Sequence, residues 1–442
     1  MIAVSLAACS SGGGGAGEGT AEGEAGEAAD SSGKRILDVW VFAEPHQRFF
    51  EAVAEPFEAS HPDVDVQITL FEGDAMVEKY SIIMQSGGEG APDLIDIEQG
   101  QFPKFIRGDI PFEPLNPFLE ADGVKDAIAA GRQALYTVDG NIYGLEHAAT
   151  VSALYYRKDA FDEAGIDMTQ IKTWDEFTEA AKKLVGDGKY VLHQGTPWSS
   201  TGVEAIQFEI LLRQEGGDIV TTDGGIGINT PEALTALQRI RQWQELGIMD
   251  KASPEGPQFW ESFTNGTYLA TIGPDWWVNL LGDNAPDLSG KWHAVPIPLG
   301  GPNSVRTTVW GGTGLMISKF SDAKELAWEF AKFAQLDADN SVKRFQIVNL
   351  FPALLSSLDK PGLHEQSKYT EYFGGQDLGQ LYGDLLAEAP NQNQAWWRPL
   401  WEKAWEEYAF DLFDGNMEPE EFLSKVEAKL QEMIAEEEAK MQ

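Results

Sequence analysis

The feature that most constrains this chain is the stretch 263–333, where strand-like runs, glycine-marked loops and a helical run follow one another without a break. Asn265-Gly266-Thr267 reads as a turn leaving a helix, and the apolar run 268–272 is short enough for a buried strand. Gly273-Pro274-Asp275-Trp276-Trp277 comes next. Proline suits the first turn of a helix, so the sequence predicts a helix start here, its free amides and positive dipole end beside two indole rings. A strand at 293–298 leads to a second loop, Thr307-Thr308-Val309-Trp310-Gly311-Gly312-Thr313-Gly314. Its glycines let backbone amides come close to a ligand, and Trp310 offers a flat apolar face. A strand at 315–318 leaves that loop, and Ser321 can cap a helix with Leu326, Phe330 and Phe333 on one face. Short strands alternating with amphipathic helices define an α/β architecture with strand ends furnished for binding.

Upstream the alternation continues, with strands at 36–42, 64–71 and 93–97 separated by helical patterns, the first carrying Phe49, Phe50, Val53 and Phe57 inward. In open α/β sheets ligands bind beyond the carboxyl ends of strands, which makes Glu44, His46, Glu72, Asp74, Glu98 and Gln99 site candidates by position. The same residue types also serve as ordinary loop and capping groups. Helical patterns recur at 175–185, 203–214 and 231–246, and the loop Gly195-Thr196-Pro197-Trp198-Ser199-Ser200 presents an aromatic and hydroxyls. Trp198 suits a cleft wall and a core equally. Near the end of the chain, Trp396, Trp397 and Arg398 lead into a helix begun at Pro399, and the last helix carries Phe422, Val426, Leu430 and Met433 on one structural stripe.

Acidic residues outnumber basic ones 71 to 32, a net charge of -39, so a phosphate backbone would meet strong repulsion and nucleic acid is not an expected partner. The six histidines are scattered without an HExxH pattern, and there is neither a GxxxxGK[ST] loop nor a GxSxG elbow. The expectation is therefore no metal, no cofactor and no catalytic residue. What the chain has in quantity is tryptophan, fourteen of them, several in loops at strand ends. An indole covers the C–H face of a sugar ring while carboxylates, amides and guanidinium groups take its hydroxyls, so a carbohydrate suits this composition. Two alternatives stay open: a glycoside hydrolase, which needs only two carboxylates about 5 to 10 Å apart, and a surface adaptor without a small ligand.

The ordered set "IGPDWW", "WHAVPIPLGG", "WGGTGLMISK" and "AWEFAKF" resembles the family 1 extracellular solute-binding proteins, the maltose-binding-protein-like sugar receptors of bacterial ABC importers, and the likeness extends over most of 36–442. "VWVFAEPHQRFF" and "QGQFPKFIRGDIPFEPL" resemble the branch associated with arabinose- or galactose-containing oligosaccharides. The resemblance implies a two-lobed periplasmic-binding-protein type II fold with a hinge of three crossovers, near Thr150, Leu299 and Asn349. Lobe 1 would comprise 35–149 plus 300–350, and lobe 2 would comprise 150–299 plus 351–442. It implies a monomer that closes on a di- or oligosaccharide and hands it to the membrane permease subunits of an ABC transporter. With the strand-end reasoning, the expected ligand-binding set is Glu44, His46, Glu72, Asp74, Glu98, Gln99, Trp198, Asp275, Trp276, Trp277, Trp310, Gly311, Gly312, Trp396 and Arg398.

The only cysteine is Cys9, which rules out an intramolecular disulfide. Residues 1–9 end in Leu6-Ala7-Ala8-Cys9, which resembles a bacterial lipoprotein lipobox, so lipidation of Cys9 and a place on the outer face of the cytoplasmic membrane or in the periplasm are expected. No Lys or Arg precedes Lys34, so the basic region of a signal peptide would lie upstream of Met1. Residues 10–34, rich in Gly, Ser, Ala and Glu, read as a flexible tether reaching about 25 to 30 Å.

Overall fold

The computed structural model describes residues 33–440; Cys9 and the expected tether up to residue 32 lie outside the described residues. Two sheets organise the chain. The first contains β1 (Arg35–Val41), β2 (Val64–Leu70), β3 (Leu94–Glu98) and, after a two-stranded ribbon of β4 (Thr137–Val138) and β5 (Asn141–Ile142), β6 (Gly144–Glu146). The second contains β7 (Ser152–Arg157), β8 (Ala270–Pro274) and β9 (Trp292–Val295); the chain then returns to the first sheet as β10 (Thr313–Ile317). The first sheet runs β2-β1-β3-β10-β6 and the second β8-β7-β9.

The parallel β1 and β2 are joined by the helix Glu44–Ser60, a right-sized crossover whose Phe49, Phe50, Val53 and Phe57 bury against Leu37, Val39 and Val41 of β1. β10 enters antiparallel between β3 and β6, pairing Thr313 with Glu98 and Gly314 with Glu146, so a loop from the other half of the chain arrives beside the carboxyl ends of β3 and β6. The opposite core, around β7 to β9, is dominated by large rings: Trp174, Trp243, Trp277, Trp292, Trp401 and Trp405 are all fully buried. Among the described residues no helix is long and apolar enough to cross a membrane.

The chain passes between the sheets three times. The first passage contains Thr150 at φ 50 and the third Asn349 at φ 52, both left-handed conformations uncommon for residues with a Cβ. Ala149 N–H donates to Phe351 O at 2.8 Å, which ties these two passages together. The second passage falls later than expected. Leu299 pairs with Thr173 and exchanges backbone hydrogen bonds with Lys172 and Trp174, so it still belongs beside the second sheet. Val309 pairs with Val151, and the return is made through Trp310, Gly311 and Gly312.

A second expectation is corrected at Pro274. It closes β8 opposite Ser152, and the following helix, Trp277–Asn284, begins three residues on with Trp276 as its N-cap. The strand lies at the edge of its sheet, where a residue without an N–H is tolerated, so proline could serve a strand end as readily as a helix start.

Candidate functional site

A cavity of about 1120 Å³ opens where the ends of both sheets face each other. From the first sheet it is lined by the loops after β1 (Glu44, His46, Arg48), β2 (Glu72, Asp74), β3 (Glu98, Gln99) and β6 (Glu146, His147). Helix starts and tight turns fix these groups. Glu72 caps the helix Gly73–Gln85 by accepting from Ala75 N–H at 3.1 Å, and Glu98 Oε2 accepts from Gly100 N–H at 2.6 Å. Burial raises the Glu98 carboxyl to about 7, against the opposing pull of the Arg398 charge.

The loop ahead of β10 supplies Trp310, Gly311 and Gly312. Gly312 has φ 138, and a Cβ there would meet Arg132 Nη2 at 2.2 Å and Glu146 Oε2 at 2.5 Å, so only glycine fits. Arg132 and Glu146 form a buried pair at 3.0 Å. Arg132 also donates to Gly311 O at 2.7 Å, and Glu146 Oε1 accepts from Thr313 N–H at 3.0 Å, so this pair clamps the loop from beneath.

The opposite wall is aromatic. Trp276 lies 5.9 Å from Trp198 and 6.0 Å from Trp310, centroid to centroid, and stacks on Trp277 at 5.4 Å. Trp198, 54% exposed, is the most solvent-accessible of the cavity's tryptophans. Trp198, Trp276 and Trp310 thus form a row of rings with Trp277 as its fully buried backing, itself packed on His193, Phe259 and Trp260. Trp310 is anchored by Glu209, whose two oxygens also accept from Arg213, Arg398 and Trp401. Glu204, Glu402 and Glu406 complete this side, and burial raises Glu204 to about 8.

Eleven of the fifteen expected residues therefore line one cavity: Glu44, His46, Glu72, Asp74, Glu98, Gln99, Trp198, Trp276, Trp310, Gly311 and Gly312. Four do not. Trp277 is the buried backing ring. Asp275 is wholly buried, where its Oδ2 accepts from Phe351 N–H at 2.5 Å and its backbone oxygen from Asn349, so it pins the third passage. Arg398 is buried against Glu209 at 2.8 Å. Trp396 stands under the Arg107 guanidinium at 3.8 Å, bridging the two halves of the molecule away from the cavity. An indole in a Gly- or Pro-marked loop can face either way, and nothing in the local pattern fixes which.

Sequence reasoning missed Glu146 and His147, although they end and follow β6 as the other candidates stand at the ends of their strands. It also missed Glu209, whose signal is a carboxylate inside the apolar helical run Ile206–Gln214. A third omission is a cluster of His46, Asp96 and His147, all buried, with ligand-type atoms within 4.8 Å of one another. A search for histidines at local spacing could not find it, because its members come from a helix start (His46), the middle of β3 (Asp96) and the residue after β6 (His147).

A two-lobed α/β protein with a cavity at the meeting of two sheets is the class defined by this geometry. The chain belongs to the bacterial extracellular solute-binding protein family, whose model matches residues 43–340. It is 27% identical over 419 residues to the arabinooligosaccharide-binding protein of Halalkalibacterium halodurans, covering 91% of each chain. To the arabinooligosaccharide-binding protein of Bacillus subtilis it is 26% identical, covering 78% of this chain and 80% of that protein. Among solved structures, the ABC transporter associated binding protein of B. animalis subsp. lactis in complex with beta-1,6-galactobiose superposes with a TM-score of 0.75 at 22% identity, covering 91% of this chain and 98% of that one. The family consists of solute receptors.

Proposed function

We propose that this protein is a receptor for a neutral di- or oligosaccharide, which it delivers to the permease subunits of an ABC importer after its lobes close on the sugar. The observation that carries this reading is the row of Trp198, Trp276 and Trp310 facing carboxylate-bearing strand ends across one cavity. Rings of this kind cover sugar C–H faces, and carboxylates accept from sugar hydroxyls. The names of the relatives from H. halodurans and B. subtilis point to the same ligand class. The charge pattern narrows it. Glu44, Glu72, Asp74 and Glu406 line the cavity with no ion pair among the described residues, which opposes a uronate and favours an uncharged sugar.

The lobes are taken as 35–149 with the later return segment up to 350, and 150–299 continued through the tryptophan loop and 351–442, turning about Thr150, the Val309 passage and Asn349. Anchoring is through lipid on Cys9, at the outer face of the cytoplasmic membrane or in the periplasm, and the receptor works as a monomer. It releases its ligand unchanged.

The test is calorimetry with arabino-, galacto- and malto-oligosaccharides and their uronate analogues, with solution scattering on the tightest complex. Binding of a neutral oligosaccharide, a smaller radius of gyration and at least tenfold weaker binding of the uronate are expected. No binding across the panel would leave the adaptor reading in place. The raised carboxyls of Glu98 and Glu204 also suit a general acid, so the recovered ligand is analysed for shorter products, whose appearance would establish the hydrolase reading.

A further inference from the structure

We propose that His46, Asp96 and His147 form a binding site for a single divalent transition-metal ion, of the Zn²⁺, Co²⁺ or Ni²⁺ kind, in the floor of the cavity on the side of the first sheet. His46 Nδ1 lies 3.0 Å from Asp96 Oδ2, and His147 Nε2 lies 3.0 Å from Asp96 Oδ1. All three side chains are more than nine-tenths buried. Each ring nitrogen is thus paired by charge with one Asp96 oxygen, yet neither contact meets hydrogen-bond geometry, and all four atoms are shielded from solvent. Buried polar atoms left in this state are rare and call for a partner.

The geometry names the partner. Two ligands each about 2.1 Å from one ion and about 90° apart stand about 3 Å from each other, with the imidazole lone pair aimed at the ion and not at the neighbouring oxygen. A ring nitrogen 3.0 Å from a carboxylate oxygen, but off the line of a hydrogen bond, has that relationship. Two imidazoles with one carboxylate suit borderline ions over Ca²⁺ or Mg²⁺, which prefer an all-oxygen shell. His46 and His147 also line the cavity, so the ion would reach the buried ligand atoms from that side. Arg344, which donates to His147 O at 2.8 Å, brings a positive charge that opposes the ion and partly offsets Asp96.

The experiment is titration of the chelator-stripped full chain with Co²⁺, followed by visible absorption, with displacement by Zn²⁺. One equivalent of Co²⁺ with ligand-field bands is expected, and His46→Gln and His147→Gln should each weaken binding at least tenfold while melting as cooperatively as the parent. Should His147→Gln not fold, His46→Gln decides alone. The double variant His61→Gln/His364→Gln is the control, because these histidines, half-buried and exposed, also lie beside carboxylates, Glu329 and Asp377. It should bind cobalt like the parent. Absence of bands in the parent, bands that survive His46→Gln, or bands lost only in the control would overturn the proposal.

Discussion

The indole Nε1 of Trp310 donates to Glu209 Oε2 at 3.0 Å, which joins the ring nearest the glycine loop to a carboxylate buried between two arginines. Trp310 is therefore held in position before any ligand arrives, and no ligand energy is spent ordering it. Arg213 has Asp218 as a second close partner, whereas Arg398 is paired beyond Glu209, among the described residues, with the more distant Glu402 at 3.7 Å.

Removing Glu209 should consequently strand the Arg398 charge. Glu209→Ala is expected to cost about 3 to 5 kcal/mol of stability, the usual consequence of breaking a buried ion pair from one side. Glu209→Gln keeps the shape and one acceptor, so it should fold and instead loosen Trp310. Thermal unfolding read beside calorimetry checks this. Equal melting temperatures for Glu209→Ala and the parent would show that the hub has no structural weight.

The stacked rings Trp276 and Trp277 are adjacent in sequence but face different surroundings, so their substitutions should separate. Trp276→Ala and Trp310→Ala remove rings that line the cavity and should cost about 2 to 4 kcal/mol of sugar binding, some thirty-fold or more in affinity. Trp277→Ala opens a hole in the core beneath them and should cost about 3 to 5 kcal/mol of folding stability. Melting curves and titrations of the three variants together test the assignment. It fails if Trp277→Ala melts like the parent.

Asp275 carries a pH dependence of known sign. Burial pushes its carboxyl from the usual carboxylate range to about 8, against the hydrogen bonds from Phe351 and Trp276 N–H that favour its charged form. The folded state thus retains a proton that the unfolded chain has released, so this group makes stability fall as pH rises from about 4 to about 8. The slope is at most about 1.4 kcal/mol per pH unit. Asp275→Asn should flatten it, leaving a variant that loses ground at pH 5 relative to its standing at pH 8. Denaturant titrations of both proteins at these two pH values measure the difference, and parallel slopes would remove Asp275 as the cause.

The first sheet was legible because its strands and the helix Glu44–Ser60 carry clean apolar periodicities, and the strand-end rule then found Glu44, Glu72, Glu98 and their neighbours. Asp275 and Arg398 were not legible as structural groups. Their partners, Phe351 and Glu209, lie far away in sequence, and a polar residue's local surroundings do not reveal a distant hydrogen bond. Pro274 shows a different limit, since a missing N–H is compatible with an edge-strand end as well as with a helix start. The order of passages between the sheets came from resemblance, and the second of them, at Val309, was placed too early because the segment after β9 keeps pairing with the second lobe through Leu299.

The size of the ligand follows from the cavity and its rings. About 1120 Å³ lies just above the range of about 300 to 1,000 Å³ usual for small-molecule pockets, more than one pyranose fills. The three cavity tryptophans have centroids about 6 Å apart in succession, and a single ring with two faces cannot stack on all of them. Each further sugar unit that reaches another indole should add apolar burial, so affinity should rise from mono- to di- to trisaccharide and then level off when the row is used up. The same series repeated on Trp198→Ala should level off one unit earlier, because Trp198, the most exposed of the three, ends the row. Calorimetry on the two series decides the matter. Equal affinity for the monosaccharide and its longer homologues would define a one-ring pocket, with Trp198 then a bystander at its mouth.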